Sequence, residues 1–360
     1  MGVETQNPPE LKEHYIKLIE SQDCICERYI DIKRADKDAG DGFFSLVFKA
    51  IDKLSKKPRA VALKFFNPLY YSDRYRVESF HRESRILNEL KGQRNILPLI
   101  QEKTNLNLFL TTEQGVAFPL PFSFYSSLWA TSNIKQYIYG NNKTYLTNML
   151  YFKEMCKAVQ RIHAKKICHR DLKPGNFLLF GKRYVTLSDF GTARYFGETI
   201  TPLLETYHHP VGDLRYPAPE IICGLYFSDY HNFCADIYSL GAILFELFTR
   251  QVLGSIIFPD VRDLISHFFL VPQRDRIEVF HSIIGNISKV RPLPSVLVYN
   301  DQIPKGIALE VDRLYKSMAS LDYRKREMSF QYIFLRILII VKVIQIMARQ
   351  KKDFEELPNA

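Results

Sequence analysis

The sequence predicts an α+β chain: a small, sheet-rich N-terminal part, a large, mainly helical C-terminal part, and a cleft between them. Three observations predict it. β-Branched and aromatic runs separated by turn residues dominate residues 29–112. Helical spacing of apolar residues takes over after residue 146 and dominates from Ala235 onward. A composition that is 46% hydrophobic, with 26 Phe and 21 Tyr in 360 residues, supplies a core large enough for two lobes.

Taken in order, residues 1–28 read as an N-terminal extension, polar at first, with a helical stretch over 11–19. Residues 29–113 form the first lobe. Within it, 44–50 and 59–66 are strands joined by a Lys/Pro turn, and 76–90 is a helix. The second lobe spans 114–348. It opens with a Phe-, Pro-, Ser- and Asn-rich stretch over 116–142, read as a loop-bearing crossing segment. A helix over 146–165 follows, with Leu150, Met155, Val159 and Ile162 at close to helical spacing. Residues 177–180 and 184–187 are strands around a tight turn at Gly181-Lys182. The stretch 251–308 has no assignable role. Residues 330–347 are strongly apolar, but Arg336 and Lys342 lie inside them. Each cation costs about 2.5–3.5 kcal/mol at a bilayer centre, so a buried terminal helix is expected and a membrane partner is not. Residues 349–360 form a polar tail.

Net charge is +10, which suits an anionic ligand such as a nucleotide as well as solvated surface charge. No compact Arg/Lys stripe interleaves with aromatics, so no nucleic-acid partner is expected. Of the six cysteines only Cys24 and Cys26 are close, and that spacing is not a structural zinc pattern. No secretory signal opens the sequence, and Gln6 stands where a myristoylation motif wants Ser or Thr. Free thiols and a cytoplasmic location are the expectation.

Four separated features point to one chemistry. Gly40-Asp41-Gly42, followed by Phe43-Phe44-Ser45-Leu46-Val47, lies at a turn between strands, where glycines let backbone N–H groups approach phosphate oxygens. Lys64 ends Val61-Ala62-Leu63-Lys64. The following helix puts Glu83 on the same face as Phe80, Leu87 and Leu90, so Glu83 can meet Lys64 while Glu78 points away. In His169-Arg170-Asp171-Leu172-Lys173-Pro174-Gly175-Asn176, Asp171 can orient a hydroxyl and accept its proton. Lys173 adds a cation, and Asn176 a neutral oxygen ligand. Asp189-Phe190-Gly191 follows the hairpin begun at Asn176, which would return Asp189 beside Asn176 as a second magnesium ligand.

In this order and spacing the features resemble the eukaryotic-type serine/threonine protein kinase family, over roughly residues 30–348. The resemblance implies a bilobal fold with an antiparallel-sheet N-lobe carrying one helix, a helical C-lobe, and ATP in the cleft. Gly40 and Gly42 would lie over the phosphates, and Lys64, paired with Glu83, would contact them. Val47 and Ala62 would join the nucleotide-binding residues. Thr112 resembles the gatekeeper, with Glu113 and Gly115 offering hinge backbone to adenine. Asp171 would be the catalytic base beside Lys173, and Asn176 and Asp189 would hold Mg²⁺. Ala218-Pro219-Glu220 resembles the family's APE motif, with Arg326 as partner of Glu220. Asp236 and Gly241 resemble the central helix that anchors the catalytic loop.

The implied activity is ATP-dependent phosphorylation of Ser/Thr hydroxyls in protein substrates, the chain itself included, because Lys173 stands where serine/threonine members carry lysine. Thr199, Thr201, Thr206 and Tyr207 lie on the loop that Arg170 could order by gripping a phosphate. Two positions depart from the family. Ser45 replaces the third glycine of the phosphate loop. Asp213 replaces a threonine that bridges the catalytic aspartate and lysine, and is expected to compete for Lys173 and repel Asp171. That departure supports a second reading, a catalytically weak or inactive ATP-binding scaffold. The oligomeric state is left open.

Overall fold

The computed structural model describes residues 8–35, 45–111, 115, 117–141, 144–181, 184–197, 213–225 and 228–355. The chain divides into two compact units, 1–131 with 189–191, and 132–188 with 192–360. The first contains an antiparallel five-stranded sheet of β1 (Tyr29–Arg34), β2 (Ser45–Asp52), β3 (Arg59–Phe66), β4 (Leu99–Thr111) and β5 (Ala117–Leu128), in the order β1-β2-β3-β5-β4. β2 and β3 form the expected hairpin, in register from Ser45↔Phe66 to Asp52↔Arg59. Strand alternation sends Val61, Leu63 and Phe65 to one face, where they are buried with Phe48, Phe122 and Phe124. Phe65 stacks on Phe124 at 4.8 Å.

Helix α1 (Pro8–Glu20) closes that core with Tyr15, Ile16 and Ile19. Tyr15 meets Phe122 edge-on at 5.5 Å. Each such burial contributes about 1.5–3 kcal/mol. Residues 8–20 are therefore part of the first unit rather than a separate extension. Helix α2 (Arg74–Glu89) starts at Asp73, whose carboxylate accepts the Arg76 N–H at 3.2 Å. Its Phe80, Glu83 and Leu87 are buried and Glu78 is exposed.

The stretch expected to be a crossing loop is instead strand β5. Its prolines, Pro119 and Pro121, read as strand breakers. β3 pairs with β5 only between Phe124 and Leu128, and β4 covers the other side from Ala117 onward. The prolines thus lie where, among the described residues, one side of β5 has no strand to receive an N–H, and two residues apart they share that side. The first unit consequently ends at Thr131, not at the 113/114 boundary expected from sequence.

The second unit begins with β6 (Ser132–Asn133) and the short helix α3 (Ile134–Tyr139), closed by an Asn133/Gln136 capping box. Helix α4 (Tyr145–Ala164) and strand β7 (Ile167–Cys168) precede the hairpin of β8 (Phe177–Phe180) and β9 (Tyr184–Leu187), as the sequence predicted. β10 (Arg194–Tyr195) pairs back to β7. After the short helix α5 (Pro219–Ile222) comes α6 (Asp229–Thr249), buried over almost its whole length. Helices α7 (Leu253–Ile257), α8 (Val261–Phe269) and α9 (Arg276–Val290) fill the stretch that sequence left unassigned. Helix α10 (Lys305–Met318) runs beside α6. A Cβ on Gly241 would come within 2.8 Å of the Ala319 backbone nitrogen, so α6 passes the end of α10 at a distance only glycine allows.

The last helix, α11 (Phe330–Glu355), runs into what was read as a polar tail. Its ridge of Ile333, Ile337, Ile340 and Ile344 is buried, but Leu335, Leu338 and Ile346 on the opposite side are each 54% exposed. The expectation of a buried terminal helix thus holds for one face only. Arg336 pairs with Glu310 of α10.

Glu220 and Arg326 form the expected pair, both side chains fully buried. Arg326 binds Glu220 through both terminal nitrogens, at 2.5 and 3.1 Å, and donates to the carbonyls of Cys234 and Ser320 at 2.8 Å. Replacing Arg326 with Met would leave Glu220 buried without its counter-charge, so urea denaturation should show a loss of about 3–5 kcal/mol. The double variant with Glu220→Gln should recover part of it.

Candidate active site

In the first unit the sheet register sets Lys64 opposite Val47 on one side and Tyr125 on the other. Ala62 and Lys64, two residues apart, share the face opposite the α1 core. From there Lys64 Nζ donates to Glu83 Oε2 of α2 at 2.7 Å and lies 3.6 Å from Asp189 Oδ1. Burial opposes the lysine's charge, yet the two carboxylates more than offset it, and Lys64 titrates above its ordinary value. Burial also raises Glu83 above the usual carboxylate range, with Lys64 opposing that rise. Tyr125 hydrogen-bonds Glu83 as well. Sequence reasoning missed Tyr125 because its strand was read as loop.

Arg82, also on α2, donates to the Gly191 carbonyl at 2.9 Å. Asp189 itself sits at φ 65°, a left-handed conformation unfavourable for a residue with a Cβ. The packing around Asp189 therefore over-determines its backbone, as is common where a side chain must be aimed.

Gly40 and Gly42 lie outside the described residues, as do Thr112 and Glu113. Ser45 is buried, and its hydroxyl has no hydrogen-bond partner among the described residues. Gly115 is exposed at φ +78° between β4 and β5, which pair up to Thr111↔Ala117. That position is a connection within the first sheet. The chain passes to the second unit at Thr131–Ser132, so the hinge reading is corrected for Gly115. The physical cause is again the proline-bearing β5, which lengthens the first unit by a whole strand.

In the second unit, 169–176 is held from below by α6. The Asp236 carboxylate, 1% exposed, accepts the backbone N–H groups of His169 at 2.8 Å and Arg170 at 2.9 Å. His163 Nε2 of α4 meets the same carboxylate at 2.9 Å. The His169 ring is buried with Nε2 2.9 Å from the Ser188 carbonyl, so Nε2 carries the proton. Nδ1 then accepts the Asp171 N–H at 3.3 Å. Thr192 Oγ1 donates to the His169 carbonyl at 3.0 Å.

This frame presents Asp171, which is buried and receives donors from three places. Lys173 Nζ donates to Oδ2 at 2.8 Å, Asn176 Nδ2 to the same oxygen at 3.3 Å, and the Asp213 backbone N–H to Oδ1 at 3.3 Å. Asn176 Nδ2 also donates to the Asp171 carbonyl at 2.8 Å. With its amide nitrogen committed, the Asn176 side-chain oxygen is what it can offer a cation. Among the described residues no group of three or more His, Cys, Asp or Glu could hold a metal.

Asp213 does not do what its sequence position suggested. Its carboxylate is taken by Arg215, Nε to Oδ1 at 2.9 Å and Nη2 to Oδ2 at 2.6 Å, with the Arg215 N–H on Oδ1 at 3.1 Å. The expected repulsion of Asp171 is thereby neutralised, and the backbone rather than the side chain reaches Asp171. Next to it the Tyr216 hydroxyl donates to Glu246 of α6 at 3.0 Å, and Tyr139 of α3 donates to the same buried carboxylate at 2.8 Å. Neither tyrosine was flagged by sequence, which shows no link between positions so far apart. Arg170 donates to the Thr192 carbonyl at 3.4 Å. Thr199, Thr201, Thr206 and Tyr207, which it was expected to serve, lie outside the described residues.

Burial disfavours the Asp213 anion, but its hydrogen bonds with Arg215 outweigh that and lower its pKa from the ordinary 3.8. A depressed carboxylate contributes stability above its unfolded pKa and loses it as pH falls through the folded one. The urea-midpoint difference between the parent and Asp213→Asn should therefore be constant from about pH 5 to 8 and shrink only at more acid pH. The model of the protein kinase domain family matches residues 34–332.

Proposed function

Because the chain belongs to the protein kinase family, we propose that it transfers the γ-phosphoryl group of ATP to serine and threonine hydroxyls of protein substrates, its own included. The observation that carries this reading is the geometry at Asp171: a buried carboxylate fixed by Asn176 and the Asp213 N–H, with the Lys173 ammonium 2.8 Å away. Asp171 orients the incoming hydroxyl and takes its proton, and Lys173 neutralises charge on the phosphoryl group in transit. Lys64, held by Glu83, contacts the ATP phosphates. Asn176 and Asp189 would hold magnesium, which would supply charge neutralisation across those phosphates. Gly40, Gly42, Val47 and Ala62 complete the nucleotide site. Six free thiols accord with a reducing cytoplasmic setting.

The scaffold reading rests on Asp213 and on the divergent stretch 251–308; the pairing of the Asp213 carboxylate with Arg215 favours the active reading. A radiolabelled-ATP assay should give Mg²⁺-dependent transfer by the parent protein and a fall of about 10²–10⁴-fold in Asp171→Ala. Acid hydrolysis of the product should yield phosphoserine or phosphothreonine; phosphotyrosine alone would overturn the assignment to serine and threonine. Lys64→Met should lower kcat/KM for ATP by a comparable factor and, because it leaves buried Glu83 without its counter-charge, should also lower the thermal midpoint. Asp213→Thr should leave transfer within about tenfold of the parent. Transfer present only in Asp213→Thr would instead restore the scaffold reading.

A further inference from the structure

The segment Phe330–Gln350 of α11 is long and apolar enough to cross a membrane, with a mean hydropathy of 1.9, yet only 22% of its most apolar window is buried. A core helix of this hydropathy would be covered on every side. Here the covered side is the isoleucine ridge of Ile333, Ile337, Ile340 and Ile344, packed toward α4 and α10. The opposite arc carries Leu335, Leu338, Lys342, Ile346 and Arg349, all exposed, spaced at helical repeats along a single stripe.

Two facts say what covers the stripe. Phe330–Gln350 contains no Asp or Glu, while Lys342 and Arg349 stand on the exposed arc. The stripe is therefore apolar and purely cationic, complementary to an anionic, apolar-cored surface. A second copy of the same stripe would set cations against cations, with no carboxylate there to neutralise them. The helix also cannot leave to span a bilayer without exposing the isoleucine ridge and breaking the pair of Arg336 with Glu310. Exposed Tyr332, at the edge of the stripe, is a residue type suited to the headgroup level.

We propose that α11 lies in the plane of an anionic membrane surface, its Leu335–Leu338–Ile346 stripe entering the headgroup boundary and Lys342 and Arg349 pairing with lipid phosphate or carboxylate groups. The proposal is independent of the phosphotransfer reading, since it uses no residue of the Asp171 or Lys64 clusters.

Vesicle flotation of the full chain tests it, comparing phosphatidylserine–phosphatidylcholine vesicles with phosphatidylcholine alone. The parent should float with the anionic vesicles and release with added salt. Lys342→Gln should bind roughly fivefold more weakly. Leu335→Ser with Leu338→Ser should reduce binding by about tenfold or more. Far-UV circular dichroism should be unchanged in each variant, as all three positions are exposed. Equal partitioning into both vesicle types, or flotation insensitive to Lys342→Gln, would overturn the proposal. So would absence of flotation together with a concentration-dependent dimer that Leu335→Ser/Leu338→Ser abolishes, an outcome that assigns the stripe to a second copy.

Discussion

The second unit is organised around the Asp236 carboxylate. Its oxygens take two consecutive backbone N–H groups, from His169 and Arg170, and meet the His163 ring. Arg170 sits at φ 69°, a conformation disfavoured for a residue with a Cβ. A buried anion that satisfies two adjacent amides at once stabilises that turn and fixes the direction in which the chain proceeds to Asp171. Without it the donors on Asp171 would have no fixed target. Helix α6 can supply such a carboxylate because it is buried along its length and pinned at Gly241 against the end of α10.

The Lys64 cluster of the first unit is built by a different means. A cation and two carboxylates share a largely buried site, where each charge depends on the others for its ionised form. Such a group contributes little net stability and much specificity of position. Its parts come from β3, from α2 and from the segment at Asp189, with Tyr125 of β5 also bonded to Glu83. Movement of any one of these elements would alter the charge balance at Lys64.

Asp213 shows how a local departure is absorbed. A carboxylate near Asp171 and Lys173 looks unfavourable as a residue type. Arg215, two positions on, closes a ring with it that satisfies both oxygens, and the Asp213 N–H does the donating. The same short segment continues into Tyr216, whose hydroxyl is tied to Glu246 of α6. The loop beside Asp171 and the central helix are thus joined through a buried carboxylate that receives two tyrosine hydroxyls.

The sequence alone determined the α+β class, the Lys64–Glu83 pair, the β8–β9 hairpin and the run from His169 to Asn176. Each rests on short-range spacing: strand alternation, helical repeat and a fixed motif. Glu220 and Arg326 were legible too, though only through the family resemblance. Tertiary structure decided the rest. Pro119 and Pro121 look like breakers until the pairing of β3 and β4 shows which side of β5 lacks a neighbour, and that one strand moves the end of the first unit to Thr131. The partner of Asp213 and the faces of α11 were equally hidden. A composition specifies that a residue is charged or a helix apolar, but only the packed chain decides which neighbour meets the charge and which face is left to solvent.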